Sequence, residues 1–235
     1  MPRITSLIRS KKWDKVSELL RQSTQFHDKT KGYKCCYQCS ERHNILHYVL
    51  TFNPPISVVR DIIETFPEAA HETDCMLRYP LHTALMCGAS AEVVSHLMKV
   101  NEKAVTAVDK EGKTSLHLLF VDYRIKSKCY KRYREEAKMY FPGIIHMLCH
   151  HEPEMVLKED WNDMNVLEYV IQEEVDCSIL RLLQTVGESV MKRDDLSWFR
   201  KPRSYVKKVD ENSASKSQFG KIVHSVRKTL ASRSA

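Results

Sequence analysis

Three groups of residues in this 235-residue chain have the types and spacing that chemistry requires. Cys36-x-x-Cys39 has chelate spacing, and His43 and His47 follow one helical turn apart, so a zinc clip is the sharp reading of that stretch. Against it, no second C-x-x-C exists, whereas a structural zinc site closes four ligands. A solvated loop with incidental thiols is the simpler account, which leaves Cys36, Cys39 and His43 as weak metal candidates. His146 and His150 form an i, i+4 pair beside Cys149 and His151, but no acidic ligand or H-E-x-x-H pattern accompanies them. Histidines at a helix end also suit the negative pole of its dipole. Gly112-Lys113-Thr114 ends as a phosphate loop ends, yet that motif needs a glycine five positions earlier, where Ala107 stands.

No G-x-S-x-G, G-x-G-x-x-G or kinase-type set occurs, and six glycines leave little for anion-cradling loops. The expectation is therefore a protein that is not an enzyme, with no catalytic residue, no cofactor and no favoured metal.

The elements around these residues repeat. Leu46-His47, Leu81-His82 and Leu116-His117 recur at 35-residue steps, and Asp74 to Asp109 keeps the same step, as does Val58-Val59 to Val93-Val94. Within one period, a short helix starts at Pro80-Leu81-His82, a turn falls at Gly88-Ala89, and a second helix carries Val93, Val94, Leu97 and Met98. Each helix has one apolar stripe, which needs a neighbour to cover it. A fixed period with helix pairs inside signals a solenoid.

Asp109-Lys-Glu-Gly112-Lys-Thr114-Ser115-Leu116-His117 carries a family mark, as does Tyr79-Pro80-Leu81-His82-Thr83-Ala84 followed by Gly88-Ala89. At these residues the chain resembles the ankyrin repeat family. Asn44-Ile45-Leu46-His47 keeps only Leu-His, and Asn165-Val166-Leu167-Glu168 has lost the histidine. The resemblance covers roughly residues 5–196. It implies an all-α fold, an ankyrin-like α-solenoid of helix-turn-helix repeats with short connecting fingers. It also implies that a protein partner meets the concave face built from finger tips and first helices. On this sequence those tips include Leu77, Arg78 and Tyr79, then Glu111 and Lys113, then Trp161 with Asn162 and Asp163.

The chain then divides into an N-terminal capping helical pair over 1–30, about four repeats over 44–199, and a tail over 200–235. The fourth repeat is interrupted: Asp109 to Asp160 is 51 residues, and the excess lies at 122–140. That insertion interleaves seven Lys/Arg with four tyrosines, making Tyr130, Arg132 and Tyr133 further partner candidates. Its second helix is expected from Gly143. Nucleic acid is not expected, because one short basic insert makes a small electrostatic footprint.

Charge is concentrated in the tail, with ten Lys/Arg against Asp210 and Glu211 from Arg200 onward. Within it, Phe219, Ile222, Val223, Val226 and Leu230 share one helical face over 219–230. A basic amphipathic helix of this kind suits an anionic membrane or a partner groove. The favoured function is a non-catalytic interaction scaffold or adaptor, acting as a monomer. The alternatives are a membrane-surface adaptor docking by the tail and a zinc-stabilised module using the Cys-rich loop; salt-dependent liposome binding and zinc content discriminate them. Eight scattered cysteines and an N-terminus without a signal-peptide core point to an intracellular protein, cytoplasmic or nuclear, not secreted and without a transmembrane segment.

Overall fold

The computed structural model describes residues 2–22, 33–34, 42–121, 123–129 and 131–193. The chain forms two compact units, Met1–Leu119 and Phe120–Ala235. The fold is all-α: besides a two-residue antiparallel pair, β1 (Tyr33–Lys34) with β2 (Arg42–His43), and a bridge between Val108 and Thr114, the regular elements among the described residues are helices.

The first unit is a series of short helices packed in two rows. After α1 (Pro2–Arg9) and α2 (Trp13–Gln22) come α3 (Ile45–Leu50), α4 (Ile56–Thr65), α5 (Pro80–Cys87), α6 (Ala91–Val100), α7 (Lys103–Thr106) and α8 (Ser115–Phe120), whose last residue opens the second unit. Helix α2 packs on α4 and α4 on α6, while α3 packs on α5. Each helix is too short to persist alone in water, so burial of its stripe must hold it. Val58, Val59 and Ile62 of α4 and Val93, Val94, Leu97 and Met98 of α6 supply that burial. The helix ends are written locally: Asn44 caps α3 by accepting the His47 N–H at 3.1 Å, and Pro54-Pro55 separates α3 from α4.

One turn recurs after α1, α3 and α5 and after the helix Val166–Gln172. Lys11, Asn53, Gly88 and Glu174 all have left-handed backbone, with φ of 53°, 52°, 72° and 55°. The following N–H reaches back across the turn from Lys12 to the Leu7 carbonyl, from Ala89 to Ala84 and from Val175 to Val170, at 2.9, 2.9 and 3.0 Å. These bonds satisfy carbonyls that a helix end would otherwise orphan.

The second unit contains α9 (Tyr123–Cys129), α10 (Lys131–His151), α11 (Val166–Gln172) and α12 (Cys177–Arg193). Here the insertion differs from expectation. The helix expected from Gly143 starts at Lys131 and runs 21 residues through Pro142. Ala137, Phe141, Ile144, Ile145 and Leu148 are all buried, so one apolar stripe continues from the insertion into the repeat. Tyr123 is also core rather than surface: its ring lies 5.8 Å from Phe141, which in turn meets Phe120 edge-on at 5.5 Å. Helix α12 approaches the 3₁₀ turn Pro153–Val156 closely, because a Cβ at Gly187 would lie 3.3 Å from Leu157 Cδ2. The segments 23–30 and 194–199 and the tail 200–235, with its proposed amphipathic stretch 219–230, lie outside the described residues.

The two glycine classes predict opposite responses. Gly88→Ala forces a Cβ into left-handed backbone and is expected to cost about 1 kcal/mol. Gly143→Ala, in α10 with open space around its Cβ position, is expected to gain about 0.5 kcal/mol. Urea denaturation of both variants reads the difference, and matched midpoints would contradict the turn geometry.

Candidate functional site

Three connecting fingers, at 74–79, 109–114 and 160–165, share one hydrogen-bond pattern organised by an aspartate. Asp74 Oδ1 accepts the N–H groups of Met76 and Arg78 at 2.7 and 2.8 Å, Asp109 Oδ1 those of Glu111 and Lys113 at 2.9 and 3.0 Å, and Asp160 Oδ1 those of Asn162 and Met164 at 2.8 and 3.1 Å. The aspartate N–H closes each loop onto the carbonyl four residues on, at Arg78, Lys113 and Met164. The residue three positions after each aspartate is left-handed: Leu77, Gly112 and Asp163, with φ of 60°, 78° and 58°. Glycine enters that region freely, whereas Leu77 and Asp163 adopt it at a cost that the bonded finger overcomes.

Consecutive fingers of the first unit are stitched together. Asp109 Oδ2 accepts from Arg78 Nε and Nη2 at 2.9 and 2.8 Å, and the Lys110 N–H donates to the Met76 carbonyl at 2.9 Å. The Asp109 side chain is fully buried and that of Arg78 nearly so. Asp160 has a different second partner: Tyr169 Oη donates to its Oδ2 at 2.8 Å. Burial acts to raise the Asp160 carboxyl, but the bonds from Tyr169, Met164 and Asn162 outweigh it and hold the group below its usual range.

The recurrent histidines serve the same framework. His82 Nδ1 accepts the Tyr79 N–H at 3.2 Å, and its Nε2 faces the Ala104 carbonyl at 2.9 Å, an arrangement that suits the neutral ring with hydrogen on Nε2. Ser115 Oγ donates to that same carbonyl at 3.0 Å, tying α8 to α7. Burial pushes the His82 pKa down to about 4. His117 Nδ1 takes the Thr114 N–H at 3.2 Å, and His47 Nε2 meets the Arg78 carbonyl at 2.9 Å.

The candidates from sequence fall into distinct environments. Leu77 and Trp161 stand out on their fingers, 49% and 71% exposed. Arg78 spends its guanidinium on Asp109, Tyr79 is half-buried with its backbone committed to His82, and Glu111 pairs with Lys113. Gly112, Lys113 and Thr114 are all used by the finger: the left-handed turn, a bond to Asp109 and a buried contact to His117. Leu77 through Lys113 lie on two adjacent fingers of the first unit, and Trp161 on a finger of the second. Cys36, Cys39 and Tyr130 lie outside the described residues, as do the side chains of His43, Arg132 and Tyr133.

Among the described residues, no three His, Cys, Asp or Glu side chains gather as a metal ion needs. At the end of α10, burial pushes the Cys149 thiol up to about 11, which keeps it protonated beside the exposed His146 and His150. Cys149 and Cys177 are free thiols. No described helix is long and apolar enough to cross a membrane. Sequence reading passed over Met139, 84% exposed on α10, because it interrupts no periodic pattern. It also missed that the aspartates organise the fingers, although their spacing was visible. Comparison with protein-family models gives no match, and neither does comparison with curated proteins.

Two consequences are measurable. Arg78→Ala strips the buried Asp109 carboxylate of its ion pair and is expected to cost about 3 kcal/mol of unfolding free energy, with Arg78→Lys recovering part of it; a loss within error of zero would show the pair to be incidental. For His82, the unfolded ring binds a proton near pH 6.5 but the folded ring only near 4. Its contribution to stability is therefore intact above pH 6.5 and falls by about 3 kcal/mol as pH drops to 4. Urea midpoints across that range should show a slope that His82→Gln removes.

Proposed function

We propose that this chain is a non-catalytic scaffold that binds another protein, built on ankyrin-type helix-pair repeats and presenting its finger tips to the partner. The supporting observation is the thrice-repeated finger: an aspartate consumes the polar backbone of each turn, so the tip is rigid, and large apolar side chains stand outside it at Leu77 and Trp161. Rigid presentation lowers the ordering cost of association, and an exposed tryptophan is the side chain best suited to anchor an interface. The ankyrin-type reading draws further support from the 35-residue step of the histidines and from the two rows of packed helices in the first unit. The four buried core positions of α6 and the equivalent set of α4 serve stability, which leaves the finger tips for recognition.

Affinity purification from native lysate tests this with the full chain, Trp161→Ala, Leu77→Ala and Arg132→Ala/Tyr133→Ala as baits. Point changes are chosen over deletion of 122–140, which would remove the buried Tyr123 and Ala137. The expected result is a protein enriched by the full chain and reduced at least about tenfold by Trp161→Ala. Equal recovery by all four folded baits would place recognition elsewhere, and an empty full-chain bait would remove the scaffold reading.

A further inference from the structure

The surface around Trp161 combines an apolar anchor with negative charge. Trp161 is 71% exposed on a finger whose backbone is fixed by Asp160. Glu159 and Asp163 flank it in sequence and are exposed, and Glu168 stands half-buried on the helix that follows. Burial first, and then the like charges of Asp163 and Asp160, push the Glu159 carboxyl up; burial and the charges of Glu159, Asp160 and Asp163 do the same to Glu168. These groups therefore gain when a cation approaches. Over residues 152–180 the sequence places nine acidic residues against a single base, Lys158, and of the nine Asp176 is paired with Lys138 of α10 at 3.4 Å.

The same chain carries the complement. From Arg200 to Ala235 there are ten Lys/Arg against two acids, and over 219–230 Phe219, Ile222 and Val226 recur at the spacing of one helical face among Lys221, Arg227 and Lys228. The described residues end at Arg193, and the 25 residues between it and Phe219 span up to about 80 Å when extended, ample to return to a finger of the same unit. A covalent tether also gives the segment an effective concentration on the order of millimolar, so even weak docking is occupied.

We propose that the Trp161 finger is a docking surface for this chain's own basic segment 219–230, with Trp161 packing on its apolar residues and Glu159 and Asp163 facing Lys221, Arg227 and Lys228. The inference rests on the reading of the Trp161 finger as a binding surface and names what covers it first.

Hydroxyl-radical labelling of Trp161, resolved by mass spectrometry, tests this on the full chain against Lys221→Glu/Arg227→Glu/Lys228→Glu. At low salt Trp161 is expected to label at least about threefold more slowly in the native chain than in the variant, the effect of a mostly docked tail. The difference is expected to vanish in about 0.5 M salt, where surface charges are screened. Equal labelling of the two proteins at low salt overturns the proposal, and so does protection that disappears on dilution, which would assign the occupant to a second copy. Equal labelling with Trp161-dependent capture of a partner removes tail docking and leaves the scaffold reading standing. Protection with an empty capture experiment does the reverse.

Discussion

The Asp109 carboxylate does two things at once, and the first unit depends on both. One oxygen gathers two backbone N–H groups of its own finger, and the other receives the guanidinium of Arg78 from the preceding finger. A local turn and a contact between neighbouring fingers thus share a single buried side chain. A carboxylate taken out of water is tolerated only when its lone pairs are filled, and here they are. The consequence is register: with the fingers stitched, the helices that lead into them arrive at fixed spacing, and α4 meets α6.

Packing then supplies what the short helices lack. Helices of 6 to 10 residues do not hold together by backbone hydrogen bonding alone. Buried branched side chains on each stripe, and left-handed turns that recover the terminal carbonyls, make each pair dependent on its neighbours. The second unit solves the same problem with longer elements. Its insertion adds turns to α10 in phase with the existing stripe, so the added length extends the core through Ala137 and Phe141 instead of disturbing it.

Stability and recognition occupy different atoms in the proposed scaffold. Arg78, His82 and Thr114 are consumed internally, and their chemistry is spent on neighbouring backbone and carboxylate. Leu77 and Trp161 are held outward by turns whose polar groups are already satisfied. Such a division lets the tips vary in chemistry without loss of the framework. It also accounts for the recurrent histidines His47, His82 and His117, whose ring nitrogens are used on backbone groups of the framework.

The order of residues alone determined the helical period, the positions of the pairs and the core faces of α4 and α6, because 3.6-residue spacing of apolar side chains and proline or asparagine at the ends are local properties. It also determined the turn that each finger aspartate makes through Oδ1, whose bonds reach no further than four residues along the chain. Tertiary structure alone decided the rest. Whether Arg78 faces a partner or Asp109, whether Tyr123 lies on the surface or against Phe141, and whether Cys149 is reactive or buried depend on which segment folds against which. Residues 31 apart, as Arg78 and Asp109 are, meet only after the two fingers have come together, and spacing along a chain does not carry that distance.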